Sequence, residues 1–482
     1  MKKLTFAFLL LLFYLAQVEA GSCKALPQES KLPNFEAVNK EDRILILAPH
    51  PDDESLGCAG LIQQAIGARA KVRIAYLTNG EHNQLAFIVY EKRLTFRKGE
   101  FIHMGEVRRK EAIKAMKLLG LSETDLVFLG YPDFATLNMF KWYWQSKKPY
   151  KDMMTRISSV PYKENFSYGT PYFPEDILSD LKKVILEYKP TKIFVTHPVD
   201  VNQDHKAFYL FLQIALSDLS KEINRPKVYF YLIHRVGWPL PRHYHPDISL
   251  EPPGQFQNGE FNWMKLGLTK DQLDKKYQAI LCYNSQTRSS AFYLLAFARK
   301  NELFGYFPDI EVIPQLSLKE KATQFFGFSN MYTDPNAGVL EDLENLVGDK
   351  ENVSYAVVDD HLLIRIEKAE NLKKKLAFQI YLFGYSEKIP FAAMPKICIV
   401  TKSDKLKIFD GRRLIKPEGA RVTLESDILI LRIPLSAIGD PDYILLYIRA
   451  YKGSLPADAT GFRKIIIVRK VNGNLAVTPA RK

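Results

Sequence analysis

The residues best suited to chemistry lie between Ile44 and Gly60, in "ILILAPHPDDESLGCAG". An apolar run ends abruptly, and His50, Asp52, Asp53 and Glu54 follow within a few positions. His50 and Asp53, three apart on a tight turn, have the types and spacing to reach one divalent cation together. Asp52 lies between them and must point elsewhere. Two ligands are too few, because a catalytic zinc site takes about three protein ligands and keeps one position open. A second cluster, Asp200, Asp204 and His205, follows the apolar run "KIFVTH". Pairing His205 with His50 and Asp53 gives a complete ligand set. Such a site makes hydroxide available near neutral pH. A carboxylate beside it, Asp52, is placed to take a proton and return it to a leaving nitrogen. The plain alternative for "DDE" is a helix cap, where acids are stabilised by the helix dipole.

For the two clusters to meet, two strands must end side by side. Between residues 41 and about 300, "RILILAP", "KVRIAYLT", "LVFLG", "KIFVTH" and "KVYFYLIH" read as buried strands. They alternate with helical patterns in "GEVRRKEAIKAMKLLG" and "EDILSDLKKVILEYK". Fully apolar strands alternating with helices predict an α/β, Rossmann-like three-layer domain with a mainly parallel sheet. Ligands in such sheets bind beyond the carboxyl ends of the strands, where the strand order reverses. After about residue 330 the pattern becomes short strand-like runs separated by turn residues, which predicts an all-β sandwich. The expected organisation is a signal peptide at 1–20, a tether at 21–40, the α/β domain at 41–325 and the sandwich at 335–482.

With the catalytic candidates in place, the resemblance is specific. "APHPDDE" resembles the signature of the LmbE/PIG-L family of zinc-dependent de-N-acetylases, and "HPVDVNQDHKAF" is similar to its second motif. "RRKEAIKAMKLLG", "FLGYPD" and "YNSQ" fall in the family's order, so the likeness spans roughly residues 40–305. It implies hydrolysis of an N-acetyl group, commonly on an N-acetylglucosamine unit, with His50, Asp53 and His205 as metal ligands and Asp52 as general base and acid. The cation is zinc or ferrous iron, since both accept imidazole and carboxylate. Arg108 falls in the family's Arg-x-x-Glu segment, which implies substrate contact; pairing with Glu111 on an exposed helix face is the alternative.

One position departs from the pattern. Family members often carry histidine three residues before the ligand histidine, and this chain has Asn202. An amide NH₂ donates to a developing oxyanion, a contact worth about 3 kcal/mol in other hydrolases, but carries no proton to give away at neutral pH. Asn202 and Asp204 are grouped with Asp52 as catalytic candidates. His82, His234, His243 and His245 are candidates to make up for the missing imidazole, and His234 joins Arg108 on the substrate side. Trp142, Trp144, Trp238 and Tyr244 lie in stretches suited to stacking on a sugar or to packing in the core.

The first twenty residues, two lysines, an apolar run and then Val18-Glu19-Ala20, have the order of a secretory signal. The run is shorter than the roughly 20 residues needed to span a bilayer. The expectation is an exported, periplasmic or cell-surface protein, with a lipid anchor at Cys23 as a variant. The remaining cysteines, Cys58, Cys282 and Cys398, are too few for a disulfide framework. The formal charge of +13 suits an acidic glycan or anionic surface, without the motifs of a nucleic-acid binder. The charge reads as a solvated face before a binding code, and the partner that the resemblance implies is an N-acetylated glycan or glycoconjugate. Two other readings stay open: a glycan-binding surface protein without activity, and a deacetylase of a small amide.

Overall fold

The computed structural model describes residues 30–83, 98–256, 261–315, 332–334, 352–367, 376–402, 405–425, 428–452, 455–471 and 474–475. The expected signal peptide, Cys23 and most of the junction around 331–351 lie outside these residues.

The five apolar runs form the five strands of one parallel sheet. In chain order the elements are β1 (Arg43–Ala48), α1 (Asp53–Gly67), β2 (Lys71–Thr78), α2 (Lys98–Leu119), β3 (Leu126–Tyr131), α3 (Thr136–Trp142), α4 (Pro174–Tyr188), β4 (Lys192–Thr196), α5 (Gln203–Asp218) and β5 (Lys227–Tyr231). The strand order is β3-β2-β1-β4-β5, all parallel. β1 pairs with β2 on one side and β4 on the other, with Ile46 opposite Phe194. That reversal beside β1 is where open α/β sheets hold ligands. Ile44–Ala48 and Ile193–Val195 are fully buried, as strands covered by helices on both faces must be. A hairpin, β6 (Met264–Gly267) and β7 (Asn301–Phe304), encloses α6 (Lys270–Leu281) and α7 (Asn284–Leu294) and packs them on α1 and α2.

The C-terminal part is a sandwich of two mainly antiparallel sheets. The five-stranded one is built on the hairpin Asn352–Val358 and His361–Glu367; the eight-stranded one is centred on Leu376–Tyr385 and Tyr443–Lys452. Ile310–Val312 pairs in parallel with Arg463–Ile467 and so already belongs to the larger sheet.

The two parts share a core. Along Leu376–Tyr385, Phe378, Ile380 and Leu382 point into the sandwich, while Tyr381, Phe383 and Tyr385 belong to the cluster of the α/β domain. Ile444, Leu446 and Ile448 divide from Tyr443, Leu445 and Tyr447 in the same way. Alternate side chains leave a strand on opposite faces, so this sheet is buried on both. Phe140 of α3 is fully buried, with its ring centroid 5.0 Å from Phe211, 5.2 Å from Phe383 and 5.6 Å from Phe391. Trp142 packs on Tyr381 and Trp144 on Phe391. The "KWYWQ" tryptophans thus serve the interface. Trp142 also edges a cavity of about 420 Å³ with Asn138, Gln379 and Arg412. Trp238 is buried, donates from Nε1 to Glu251 O at 2.8 Å and packs on Phe297, while Tyr244 packs on Tyr277.

Candidate metal centre

The turn after β1 is held in an uncommon shape. Asp52 has φ +136°, a conformation that costs a non-glycine residue about 1–3 kcal/mol and persists only where neighbours impose it. Here Arg108 Nη2 donates to Pro51 O at 2.6 Å, the Asp52 N–H donates to Glu54 Oε2 at 3.1 Å, and Asp52 O accepts from Ser55 and Leu56 N–H. Asp52 stands at the N-cap of α1, yet its side chain makes no capping bond. The three acids divide. Asp52 meets Arg108, Asp53 turns to His50, and Glu54 is buried beneath Tyr283 and Ser55. The cap reading of "DDE" does not describe these side chains.

His50 Nδ1, His205 Nε2 and Asp53 Oδ2 form a nearly equilateral triangle with edges of 3.2, 3.2 and 3.3 Å. Three atoms each about 2.0 Å from one tetrahedral cation stand about 3.3 Å apart. The far nitrogens of both rings face carboxylates. His50 Nε2 lies 3.1 Å from Asp133 Oδ1 and 3.3 Å from Asp204 Oδ2. His205 Nδ1 lies 3.0 Å from Asp200 Oδ2. Carboxylates at these distances suit ring protons on the outer nitrogens, the arrangement found around metal-bound histidines. The inner nitrogens then present lone pairs to each other and to Asp53, whose Oδ1 is buried with no hydrogen-bond partner. Three converging lone pairs repel unless a cation or extra protons fill the space between them. The protonation shifts express the same demand. Burial opposes charge on His205, but Asp200 and Asp53 raise its pKa to about 9, and His50 is raised well above the ordinary histidine value. The donor set, two imidazoles and a carboxylate, fits zinc or ferrous iron.

Asp52 flanks the triangle, its Oδ2 3.1 Å from Arg108 Nη2. Burial raises its pKa to about 7, with Arg108 opposing. Arg108 is 4% exposed and also donates from Nη1 to Gly80 O at 2.7 Å. Gly80 has φ +68°, and a Cβ there would stand 2.0 Å from the guanidinium, so only glycine permits the approach. Arg108 therefore holds the Asp52 carboxylate. The alternative partner, Glu111, accepts instead from Ser285 N–H and Oγ.

Asp204 Oδ2 lies 3.3 Å from the outer nitrogen of His50. It is fully buried and accepts from Phe134 N–H at 2.6 Å, Thr136 N–H at 3.1 Å and the Thr136 hydroxyl. Asn202 caps α5, its Oδ1 accepting from Asp204 N–H at 2.8 Å. Its side-chain oxygen is thus used to start the helix that delivers His205. His234 enters the metal group: its ring centroid is 4.7 Å from that of His205, and one of its nitrogens lies within 4.8 Å of the triangle atoms. His82 is paired with Asp152 at 3.1 Å, and the His243 backbone N–H donates to Phe292 O.

Asp133 and Asp200 carry outer-shell roles that the sequence reading left unassigned. Both follow strand ends, in "FLGYPD" and "HPVD", and that position is the signal that marks them. "YNSQ" also acquires work. Tyr283 reaches Glu54, Ser285 reaches Glu111, and Gln286 Oε1 accepts from Asn83 at 2.6 Å.

Fold and site together define a Rossmann-like domain with a His/Asp cation pocket at the strand-order reversal. Residues 45–216 match the family model described as "PIG-L: GlcNAc-PI de-N-acetylase", and this segment is a domain of the PIG-L/LmbE deacetylase family, whose members are hydrolases. Solved structures with a similar fold include N,N'-diacetylchitobiose deacetylase from Pyrococcus horikoshii, at 18% identity over 52% of this chain and 74% of that one, with a TM-score of 0.31. The A40926 pseudoaglycone deacetylase Dbv21 matches at 15% identity over 55% and 96%, with a TM-score of 0.35. The 4-carboxy-2-hydroxymuconate hydratase GalB of Pseudomonas putida KT2440 matches at 17% over 55% and 97%, with a TM-score of 0.35. Likeness at this level describes fold and does not decide the reaction. Comparison with curated proteins gave no match.

Proposed function

We propose that this chain is an exported, metal-dependent amidase that removes the acetyl group from an N-acetylglucosamine-type sugar within a glycan or glycoconjugate. The observation that carries this reading is the triangle of His50, Asp53 and His205 with the Asp52 carboxylate beside it. His50, Asp53 and His205 would hold a zinc or ferrous ion, which would supply Lewis acidity and ease ionisation of the attacking water. The chain's own residues supply the rest. Asp52, its pKa raised to about 7 by burial, takes a proton as oxygen attacks the acetyl carbonyl, then returns it to the leaving amine nitrogen. A group that titrates near working pH suits both transfers. Arg108 and the strained turn hold that carboxylate in place. Asp133, Asp200 and Asp204 hold the imidazoles in the tautomer that offers inner lone pairs.

Export is read from the N-terminal segment, and an abundant basic surface suits an acidic glycan. The test is acetate release by the full-length chain loaded with zinc, assayed on N-acetylated sugar polymers and N-acetylglucosaminyl glycolipids alongside Asp52→Asn. Acetate released by the wild type alone supports the proposal. Equal behaviour of the two proteins on every substrate rejects it. N-terminal sequencing of the protein recovered outside the cytoplasm tests the export reading.

A further inference from the structure

We propose that His234 is a fourth protein donor to the cation, a role that neither the two sequence motifs nor the family resemblance assigns to it. The inference rests on the metal-site reading above and deepens it.

His234 lies just beyond β5, next to the strand that delivers His205. Its backbone N–H donates to Asp200 Oδ2 at 2.8 Å, and that same oxygen stands 3.0 Å from His205 Nδ1. One buried carboxylate thus fixes both histidines, whose ring centroids are 4.7 Å apart. Tyr293 offers the His234 ring a partner for a proton on Nδ1. The Tyr293 hydroxyl donates to Ile233 O at 2.6 Å, which leaves its oxygen as an acceptor, and His234 Nδ1 lies 3.4 Å from it. A proton on Nδ1 leaves Nε2 with a lone pair. The Tyr293 ring lies nearly parallel to that of His234, at an interplanar angle of 14° with the centroids 6.1 Å apart.

Donor atoms of His50, Asp53, His205 and His234 all lie within 4.8 Å of one another. Two donors on opposite sides of one cation at about 2.1 Å are about 4.2 Å apart, so a small rotation of the imidazole brings four donors onto one ion. The usual imidazole position, three residues before the ligand histidine, is occupied here by Asn202, whose oxygen is engaged as a helix cap. The chain thus brings a third imidazole to the cation from a different strand end. Four protein donors still leave a fifth position, which zinc accepts when its coordination expands.

The test uses the full-length protein. X-ray absorption on the wild-type zinc form counts imidazoles directly, and three are expected. Zinc affinity, measured by chelator competition, is expected to fall at least tenfold in His234→Ala and His234→Gln, as losses around metal sites do, and the visible spectrum of the cobalt-loaded protein is expected to change. Two imidazoles, with affinity and cobalt spectrum unaltered in both variants, would overturn the inference. A fall in kcat alone would likewise overturn it, assigning His234 to the substrate's oxyanion instead. His205→Ala separates the two levels. If it loses zinc while the His234 variants do not, only the fourth donor is wrong; if it also keeps zinc, the metal site itself is wrong.

Discussion

His50 Nδ1 and His205 Nε2 stand 3.2 Å apart, although 155 positions separate them in the chain. Their outer nitrogens lie against carboxylates, His50 Nε2 near Asp133 and Asp204 and His205 Nδ1 near Asp200, so the inner pair converges with Asp53 on one point that suits a cation.

Metal binding follows from that relationship. The full-length protein is expected to hold one zinc ion per chain, and Asp53→Ala or His205→Ala to lose it. Ligand present at about 1,000 times its Kd adds about 4 kcal/mol to stability. Stripping the metal should therefore lower the melting temperature by several degrees, with recovery on adding zinc. Calorimetry with and without chelator checks this, and an unchanged melting temperature would contradict it.

Asp52→Asn should retain zinc and lose activity. General acid–base catalysis contributes about 10²–10⁴-fold, and kcat is expected to fall by that factor with little change in zinc content. The asparagine keeps the side chain's shape beside Arg108, so thermal stability should change little. Loss of zinc along with activity would make Asp52 a ligand and not a base.

Arg108→Met should move the acid limb of the pH–rate profile. As a base, Asp52 works only when ionised, so kcat/KM should fall as pH drops below about 7, tenfold per pH unit at the low end. The guanidinium opposes the rise that burial causes; its removal pushes the Asp52 pKa higher and the limb towards alkaline pH. A limb that stays in place would separate the pH dependence from Asp52.

Asp204→Ala leaves His50 without one of its two outer carboxylates and leaves the Thr136 and Phe134 N–H groups without their acceptor. Outer-shell losses of this kind cost about 10–100-fold in metal affinity. Zinc competition on Asp204→Ala and on the milder Asp204→Asn measures the effect. An affinity within twofold of wild type in both would remove Asp204 from the site.

The sandwich should behave as a brace. α3 begins at Thr136, which holds Asp204, and its Phe140 is clamped among Phe211, Phe383 and Phe391. Phe140→Ala and Phe383→Ala should each cost about 3–5 kcal/mol, and the chain should unfold in one transition reported alike by zinc release and by loss of β-structure. Two separated transitions would show a detachable module.

Much of this was written in local sequence. The apolar runs determined the five parallel strands, because a strand covered on both faces must be apolar throughout, and "PHPDD" and "NQDH" marked two stretches whose side chains converge. Geometry over long separations was not legible. The sequence held no sign that Arg108 would turn inward to Asp52, since helical periodicity says which face is buried but not which carbonyl or acid awaits there. Nor did it say that Asn202 would use its oxygen to cap α5, or that His234 would arrive beside His205. The alternation of aliphatic with aromatic residues in Leu376–Tyr385 and Tyr443–Lys452 was visible, yet both kinds are apolar, so only the packed structure decided that one face closes the sandwich and the other closes the α/β domain. Local pattern records how each residue meets its neighbours in the chain, whereas a cation pocket depends on which strand ends the folded sheet sets side by side.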